Sequence, residues 1–324
     1  MFGKLHTIAA GLTLATIAAV APAAHAAYPE KPVTIIVGYA PGGSVDIVAR
    51  IMAKHLGDKL NKPFVVENRP GANGNIAANY VAKAKADGYT LLFGGSNHVA
   101  NDSLYKNISF KFRKDLTPLA LSASMANILV VTPSLPVKTV QELIDYAKRN
   151  PNALNYGSSG AGSSQHLSGE LFTKMAGVNM THVAYKGASP AATDLMGGTI
   201  QVMFLNAPVA IPYVKSNRMR ALGVTSRSRD PSLPEVKTVA EQGLAGYETG
   251  AWVGLFAPQA IDQGIAQLIN KTSEEIAKSP EFQKEIQAQY MVPMSGGLDE
   301  IRKFVVDEDK KWSEIIRLAN IVLD

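Results

Sequence analysis

An α/β fold of two doubly wound lobes, joined by a two-segment hinge with the ligand in the cleft between them, is predicted by three observations. From residue 27 onward, short apolar runs of strand length alternate with stretches of helical period. The rhythm breaks near 118–137 and then resumes. Two glycine-rich turns, one in each half, follow a strand and open a helix.

The first strand is the apolar run Val33-Thr34-Ile35-Ile36-Val37. The chain turns through Gly38-Tyr39-Ala40-Pro41-Gly42-Gly43-Ser44 into an amphipathic helix over 44–60, whose apolar face carries Val45, Val48, Ala49, Met52 and Leu56. Strands follow near 63–67 and 90–95, with a helix near 73–86 between them, a pattern that implies a mainly parallel sheet with helices on both faces. Pro118-Leu119-Ala120-Leu121, then Ile128-Leu129-Val130-Val131, then Pro133 and Pro136 read as the chain crossing into the second lobe. There the alternation gives helix 138–149, strand 154–157, helix 163–176, strand 181–185, helix 189–196, strand 200–205 and a helix after Pro208. Arg220 to Thr225 reads as a return strand, and Trp252-Val253-Gly254-Leu255-Phe256 with helical patterns from 259 to 320 completes the first lobe. The expected lobes are therefore 27–124 with 226–324, and 125–225. Hinge motion is expected about segments near 120–128 and 222–228.

The second glycine-rich turn, Gly157-Ser158-Ser159-Gly160-Ala161-Gly162-Ser163-Ser164, opens a helix carrying Leu167, Leu171 and Met175 on one face. A turn of this kind aims backbone N–H groups and the positive end of a helix dipole into one space, which is a site for an anion. Ligands of open α/β sheets sit beyond the carboxyl ends of the strands, so two facing lobes place both turns across one cleft. Two such cradles, rich in neutral donors, suit a small carboxylate.

Bulk properties narrow the class. The chain has 324 residues, 46% hydrophobic and 18% charged, enough for two packed cores. Lys4 precedes an uncharged apolar segment from Ile8 to Val20, then Pro22 and Ala24-His25-Ala26, which reads as an export signal cleaved after Ala26. Its apolar core is shorter than the roughly 20 residues of a membrane span, so the mature protein is not expected to be membrane-embedded. Removing residues 1–26 takes away Lys4 alone, so the formal charge of +5 drops by one. Basic side chains are scattered apart from Arg218, Arg220, Arg227 and Arg229, with no aromatic ladder, and no nucleic-acid partner is expected. The chain has no cysteine, which excludes disulfides, thiolate metal sites and a lipidated-cysteine anchor. An exported protein without that anchor is expected free in the periplasm, as a monomer.

The order of short motifs resembles one family, the periplasmic solute receptors of tripartite tricarboxylate transporters, also called Bug receptors. The resemblance rests on Tyr28-Pro29 with Lys31-Pro32, Pro41-Gly42-Gly43 with Asp46 and Arg50, and Glu67-Asn68-Arg69-Pro70-Gly71-Ala72. It continues with Asp87-Gly88-Tyr89-Thr90-Leu91-Leu92, Tyr156-Gly157-Ser158, Gly162 through Leu167 and Glu170-Leu171-Phe172. Val183-Ala184-Tyr185-Lys186-Gly187, Pro190-Ala191, Asp194-Leu195 with Gly197-Gly198, and Arg220-Ala221-Leu222 extend it over nearly all of the mature chain. It implies a type II periplasmic-binding fold that closes on an organic anion, commonly a carboxylate, and a membrane transporter as partner. Where the family has Gly-Thr-Pro after its Ala-Pro, this chain reads Ala257-Pro258-Gln259-Ala260-Ile261-Asp262, a departure that bears on the start of one peripheral helix.

The candidate ligand-binding residues follow from turn position and resemblance together. Pro41, Gly42 and Gly43 let backbone approach an anion, and Tyr39 and Ser44 add hydroxyls. Asp46, in the first helical turn, is explained by the dipole and free N–H groups and serves to orient the loop. Ser96, Asn97 and His98 follow the third strand in a loop reaching the cleft; Asn97 is the best placed chemically, because an amide both donates and accepts. Gly162, Ser163, Ser164 and His166 belong to the second cradle. Tyr185, Lys186, Gly187 and Ala188 end a strand before Ser189-Pro190 starts a helix. Asp194, Asn206 and Trp252 are carried by the resemblance alone. No cofactor is expected, and His55, His98, His166 and His182 show no closely spaced metal-ligand motif. The competing reading is an exported hydrolase. Gly157-Ser158-Ser159-Gly160-Ala161, however, has alanine where a nucleophile elbow needs its last glycine. A further alternative is a binding protein serving signalling instead of uptake.

Overall fold

The computed structural model describes residues 28–105, 108–319 and 321; the expected export segment and its cleavage after Ala26 lie outside the described residues. Strand β1 (Val33–Val37) lies between β2 (Phe64–Asn68) and β3 (Thr90–Gly95), all parallel, with Ile36 opposite both Glu67 and Leu92. Helices α1 (Ser44–Leu60) and α2 (Asn75–Ala82) make the crossovers. Beyond β3 the expectation of a mainly parallel sheet is corrected. The next two strands, β9 (Gly250–Pro258) and β4 (Leu116–Val131), run antiparallel to their neighbours. Strand direction leaves no mark on residue type where both faces are buried.

The residues expected as a loop at 96–98 start α3 (Ser96–Leu104), and a single turn, α4 (Phe112–Asp115), precedes β4. The segment read as an irregular crossing is one sixteen-residue strand, β4. Its residues 116–126 pair with β9, while 127–131 pair with β7 (Val202–Asn206) and β8 (Arg220–Val224). Register shifts at Pro118/Ala120 and Leu121/Ala123 break the alternation that would have marked it as continuous.

The second half alternates as expected: α5 (Val140–Arg149), β5 (Asn155–Ser158), α6 (Ser164–Ala176), β6 (Thr181–Ala184), α7 (Ala188–Gly197), β7 and α8 (Ala207–Lys215). Strands β5, β6 and β7 are parallel. The chain ends in α9 (Gln263–Lys278), α10 (Pro280–Ala288), the short β10 (Val292–Pro293) and α11 (Leu298–Ala319). The sequence departure at 257–262 has a plain outcome: β9 ends at Pro258, and the Asp262 carboxylate caps α9 by accepting from Ile265 N at 3.0 Å.

One sheet thus runs β2-β1-β3-β9-β4-β7-β5-β6, with β10 and β8 both attached to β4. Alternate residues of the central strands feed opposite cores, which is why these strands read as unbroken apolar runs, whereas the edge strands β2 and β6 are partly exposed. Ile35 packs with α1, α9 and α10 through Met52, Ile269 and Phe282, whereas Ile36 packs with α2 and α11 through Val81 and Ile301. In the second half Leu129 joins α5 and α6, and Ile128 and Val130 join α7 and α8. Helix α11 belongs to both halves: Ile301 and Val305 pack under β9, and Trp312, Ile315 and Ile316 pack with Leu129 and Phe172. No helix among the described residues is long and apolar enough to cross a membrane.

Candidate functional site

Between the two halves lies a narrow cleft walled on one side by Tyr39, Ser44, Ser96 and Asn97 and on the other by Ser159, Ser164 and Asn206. Its floor is Met125 of β4 with Ala251, Trp252 and Val253 of β9, and Val45, Gly94 and Gly95 complete the first wall. Other surface depressions are larger, such as the one around Gln263, Asn270 and Arg302, but this cleft takes residues from both halves.

Helix geometry explains the chemistry of the walls. Ser44, Ser96 and Ser164 are the first residues of α1, α3 and α6, and Asn206 is the N-cap of α8. Each helix follows a parallel strand of its half, so four helix N-termini converge on one space beyond the strand ends. Each contributes unpaired N–H groups and the positive end of its dipole. Among the described residues no side chain caps the first turn of α1 or α8. Of the lining side chains only the Tyr39 phenol is titratable, and burial pushes it up to about 12, so it stays a neutral hydroxyl. The walls are therefore positive through dipoles and donors without a lysine or arginine.

The first cradle is held from behind. Asp46, 2% exposed, accepts from Gly42 N at 2.9 Å, Arg50 Nε at 3.0 Å and Asn68 Nδ2 at 2.8 Å. Burial alone would raise its carboxyl, but these three donors outweigh it and hold the group below its ordinary range. Asn68 also donates to Tyr39 O at 3.0 Å, tying β2 to the turn. Asp46 thus braces the loop and does not reach the cleft. Pro41, Gly42 and Gly43 are exposed and lie outside the cleft lining, which the first turn enters through Tyr39 and Ser44, and Gly42 is in the left-handed region at φ +80°. The Tyr39 hydroxyl donates to Asn73 O and accepts from Asn97 Nδ2 at 3.1 Å, leaving the second amide proton of Asn97 for the cleft.

The second cradle is wired by amides. Gln165 accepts from Ser159 N at 2.9 Å and donates to Asn206 Oδ1 at 3.0 Å; Asn206 donates to Asn127 Oδ1 at 2.7 Å. Ser163 is turned inward, its hydroxyl capping His166 N, and Gly162 N donates to His166 Nδ1 at 3.1 Å. His166 does not face the cleft; its ring stacks on His182 at 3.9 Å. His98 is likewise buried behind its wall, against Phe112.

The structure brings Tyr39, Ser44, Ser96, Asn97, Ser164, Asn206 and Trp252 together at the cleft. The segment Tyr185, Lys186, Gly187 and Ala188 lies outside this lining. The Tyr185 hydroxyl donates to Asp194 at 2.7 Å and Lys186 is exposed. Trp252 meets the cleft from β9, while its indole N–H points away to Glu308 Oε2 at 2.8 Å. Sequence reasoning missed the apolar floor of Met125, Ala251 and Val253, which reads like any core strand, and Gln165, whose amide ladder crosses between elements. Away from the cleft, His55, Glu281 and Glu285 place possible ligand atoms within 4.8 Å, but Lys54 Nζ lies 3.6 Å from Glu285 and already supplies a cation.

Comparison with known proteins converges on one group. A family model described as "Tripartite tricarboxylate transporter family receptor" matches residues 48–321. Protein BugT of Bordetella pertussis is 34% identical over 309 residues, 95% of each chain. The structure of R. palustris Rpa4515 with adipate superposes with a TM-score of 0.86 at 36% identity, covering 91% of this chain and 99% of that one. MatC (Rpa3494) from Rhodopseudomonas palustris with bound malate gives a TM-score of 0.82 at 29% identity, covering 89% and 100%.

Proposed function

The chain belongs to the tripartite tricarboxylate transporter receptor family, whose members are solute-binding proteins and not enzymes, and from that premise we propose that it captures a small organic carboxylate between its two halves. The observation that carries this reading is the convergence of four helix N-termini on a cleft lined by neutral donors. A carboxylate gains from every such donor, and a cation would be repelled by all of them. The relatives with adipate and with malate support the ligand class. The apolar floor of Met125, Ala251 and Val253 suits the methylene stem of such an acid.

On this reading 27–124 with 226–324 form one lobe and 125–225 the other, and the receptor is exported, cleaved after Ala26, and works in the periplasm as a monomer. It hands its cargo to the membrane subunits of a tripartite transporter. Calorimetric titration with adipate, malate, the diamide of adipate and a diamine of equal length tests the ligand class. The acids should bind and the other two should not. Equal binding of the diamide would refute a site built for anionic charge.

A further inference from the structure

Both walls of the cleft share a device that the ligand-lining residues do not reveal. In the first wall Gly95 N donates to His98 Nδ1 at 3.3 Å; in the second, Gly162 N donates to His166 Nδ1 at 3.1 Å. Each glycine lies just before a helix whose first residue lines the cleft, Ser96 in α3 and Ser164 in α6. Each imidazole sits in the first turn of that helix, 1% and 6% exposed, and neither is among the lining residues. We infer that His98 and His166 are paired positioning residues: each ring, from behind its wall, fixes a glycine peptide and thereby aims a helix N-terminus at the carboxylate.

The inference rests on the carboxylate-receptor reading, but its geometry stands apart from it. Accepting through Nδ1 requires a neutral ring with its proton on Nε2. Neutrality is consistent with burial, which drops His98 to about 4 and His166 to about 3. The seats differ: His98 Nε2 has no hydrogen-bond partner among the described residues and its ring is fixed by packing, whereas the His166 ring has polar neighbours. The His98 ring stacks on Phe112 and is edged by Tyr39, and an added Cβ would come within 2.6 Å of its Nε2 from Gly74 and 2.9 Å of its Nδ1 from Gly94. The His166 ring stacks on His182 at 3.9 Å, and His182 is itself bound to Ser158 Oγ at 2.7 Å and backed by the Tyr156 ring at 4.9 Å. Glu170 Oε1 lies 3.7 Å from His166 Nε2, on the side where the tautomer places the proton. An alanine or leucine in either position leaves a buried glycine N–H without an acceptor.

Asparagine places an oxygen where Nδ1 stands and cannot take up a proton in this range, so it separates the acceptor from the ring. Adipate affinity at pH 7 should fall at least tenfold in H166L and in H98L. H166N and H98N should recover most of that loss. Long-range proton–nitrogen NMR of the ligand-free protein should show both rings protonated on Nε2. Amide exchange at Gly95 and Gly162 should be slow in the wild type and asparagine variants and fast in the leucine variants. A proton on Nδ1, wild-type affinity in both leucine variants, or asparagine variants as weak as leucine at wild-type melting temperature would each overturn the assignment. If the wild type itself fails to bind adipate, the ligand reading is at fault, and the tautomer and exchange data still decide the role of the rings.

Discussion

The indole N–H of Trp252 donates to Glu308 Oε2 at 2.8 Å, and the same oxygen accepts from the indole of Trp312 at 3.1 Å. These are the two tryptophans of the chain. Trp252 packs in the core of the first half and Trp312 in that of the second, so the carboxylate on α11 joins the halves at the back of the cleft floor. Replacing Glu308 by alanine leaves two buried donors unpaired, at about 1–3 kcal/mol each. Urea unfolding of E308A should show a loss of about 2–6 kcal/mol, accompanied by a shift in the tryptophan emission of the folded protein. An unchanged emission spectrum would mean that the indoles do not share this acceptor in solution.

Gly43 and Gly42 separate ligand space from chain strain. Gly43 has φ −77°, and an added Cβ would meet only Ala40 O at 3.6 Å, so the fold accepts a side chain there. Gly42, at φ +80°, does not accept one without strain. G43V should therefore keep its melting temperature and lose nearly all adipate affinity, because on the proposed reading the valine, next to the lining residue Ser44, would block an anion from the start of α1. S164A should be milder, losing about 0.5–3 kcal/mol of binding. K186M should bind like the wild type, since Lys186 is exposed and outside the lining. Calorimetry ranks the three, and K186M as the most damaging would replace the dipole cradle by a point charge.

How far the sequence could be read follows from which signals are local. The bounds of α1 were legible because a Gly-Gly-Ser turn meets a clean apolar period at Ser44 and the stripe ends at Leu60. Ser96–Leu104 was not, because SNHVANDSL is poor in helix formers and is held by packing of Val99 and Leu104 against distant elements. Strand β4 hid for a related reason: both faces are buried and two register shifts interrupt it, so its pattern broke at Pro118 and Ser122. At the site, the helix-opening serines were legible from turn chemistry. The inward turn of His166 was not, since a histidine in a first turn has the same sequence signature whether it faces a ligand or a second histidine.

Acid should weaken the fold through His98 and His166. In the unfolded chain both take up protons near pH 6.5, whereas in the folded chain burial, aided at His166 by the neighbouring His182, delays this to about 4 and about 3. Between those values the unfolded state binds more protons. Stability is therefore full above pH 6.5 and declines as the pH falls towards 4, by up to about 1.4 kcal/mol per pH unit for each ring. The groups facing the rings are Tyr39 for His98, and His182, Glu170 and Tyr156 for His166. Urea midpoints at pH 7, 6 and 5 should fall in step for the wild type and fall less for the H98N/H166N double variant. Equal slopes in the two proteins would show that other groups carry the acid sensitivity.

The chain passes between the halves beside a small set of paired peptides, and that is where closure should act. Asn127 N donates to Thr225 Oγ1 and Thr225 N to Asn127 O, each at 2.9 Å, and Thr249 N donates to Thr225 O at 3.0 Å. At this point β4 changes partners, from β9 at Ala126 to β7 at Asn127. A strand that keeps its own continuity while changing partners can twist about a few residues without breaking either core, whereas the walls on either side move as bodies. Closure would bring the α1 and α3 ends towards the α6 and α8 ends and exclude water from the carboxylate, strengthening each donor. Small-angle scattering should therefore give a smaller radius of gyration with saturating adipate than without it, and G43V should show no change at the same concentration. An unchanged radius for the wild type, at saturation verified by calorimetry, would mean that the ligand is taken into a cleft already closed.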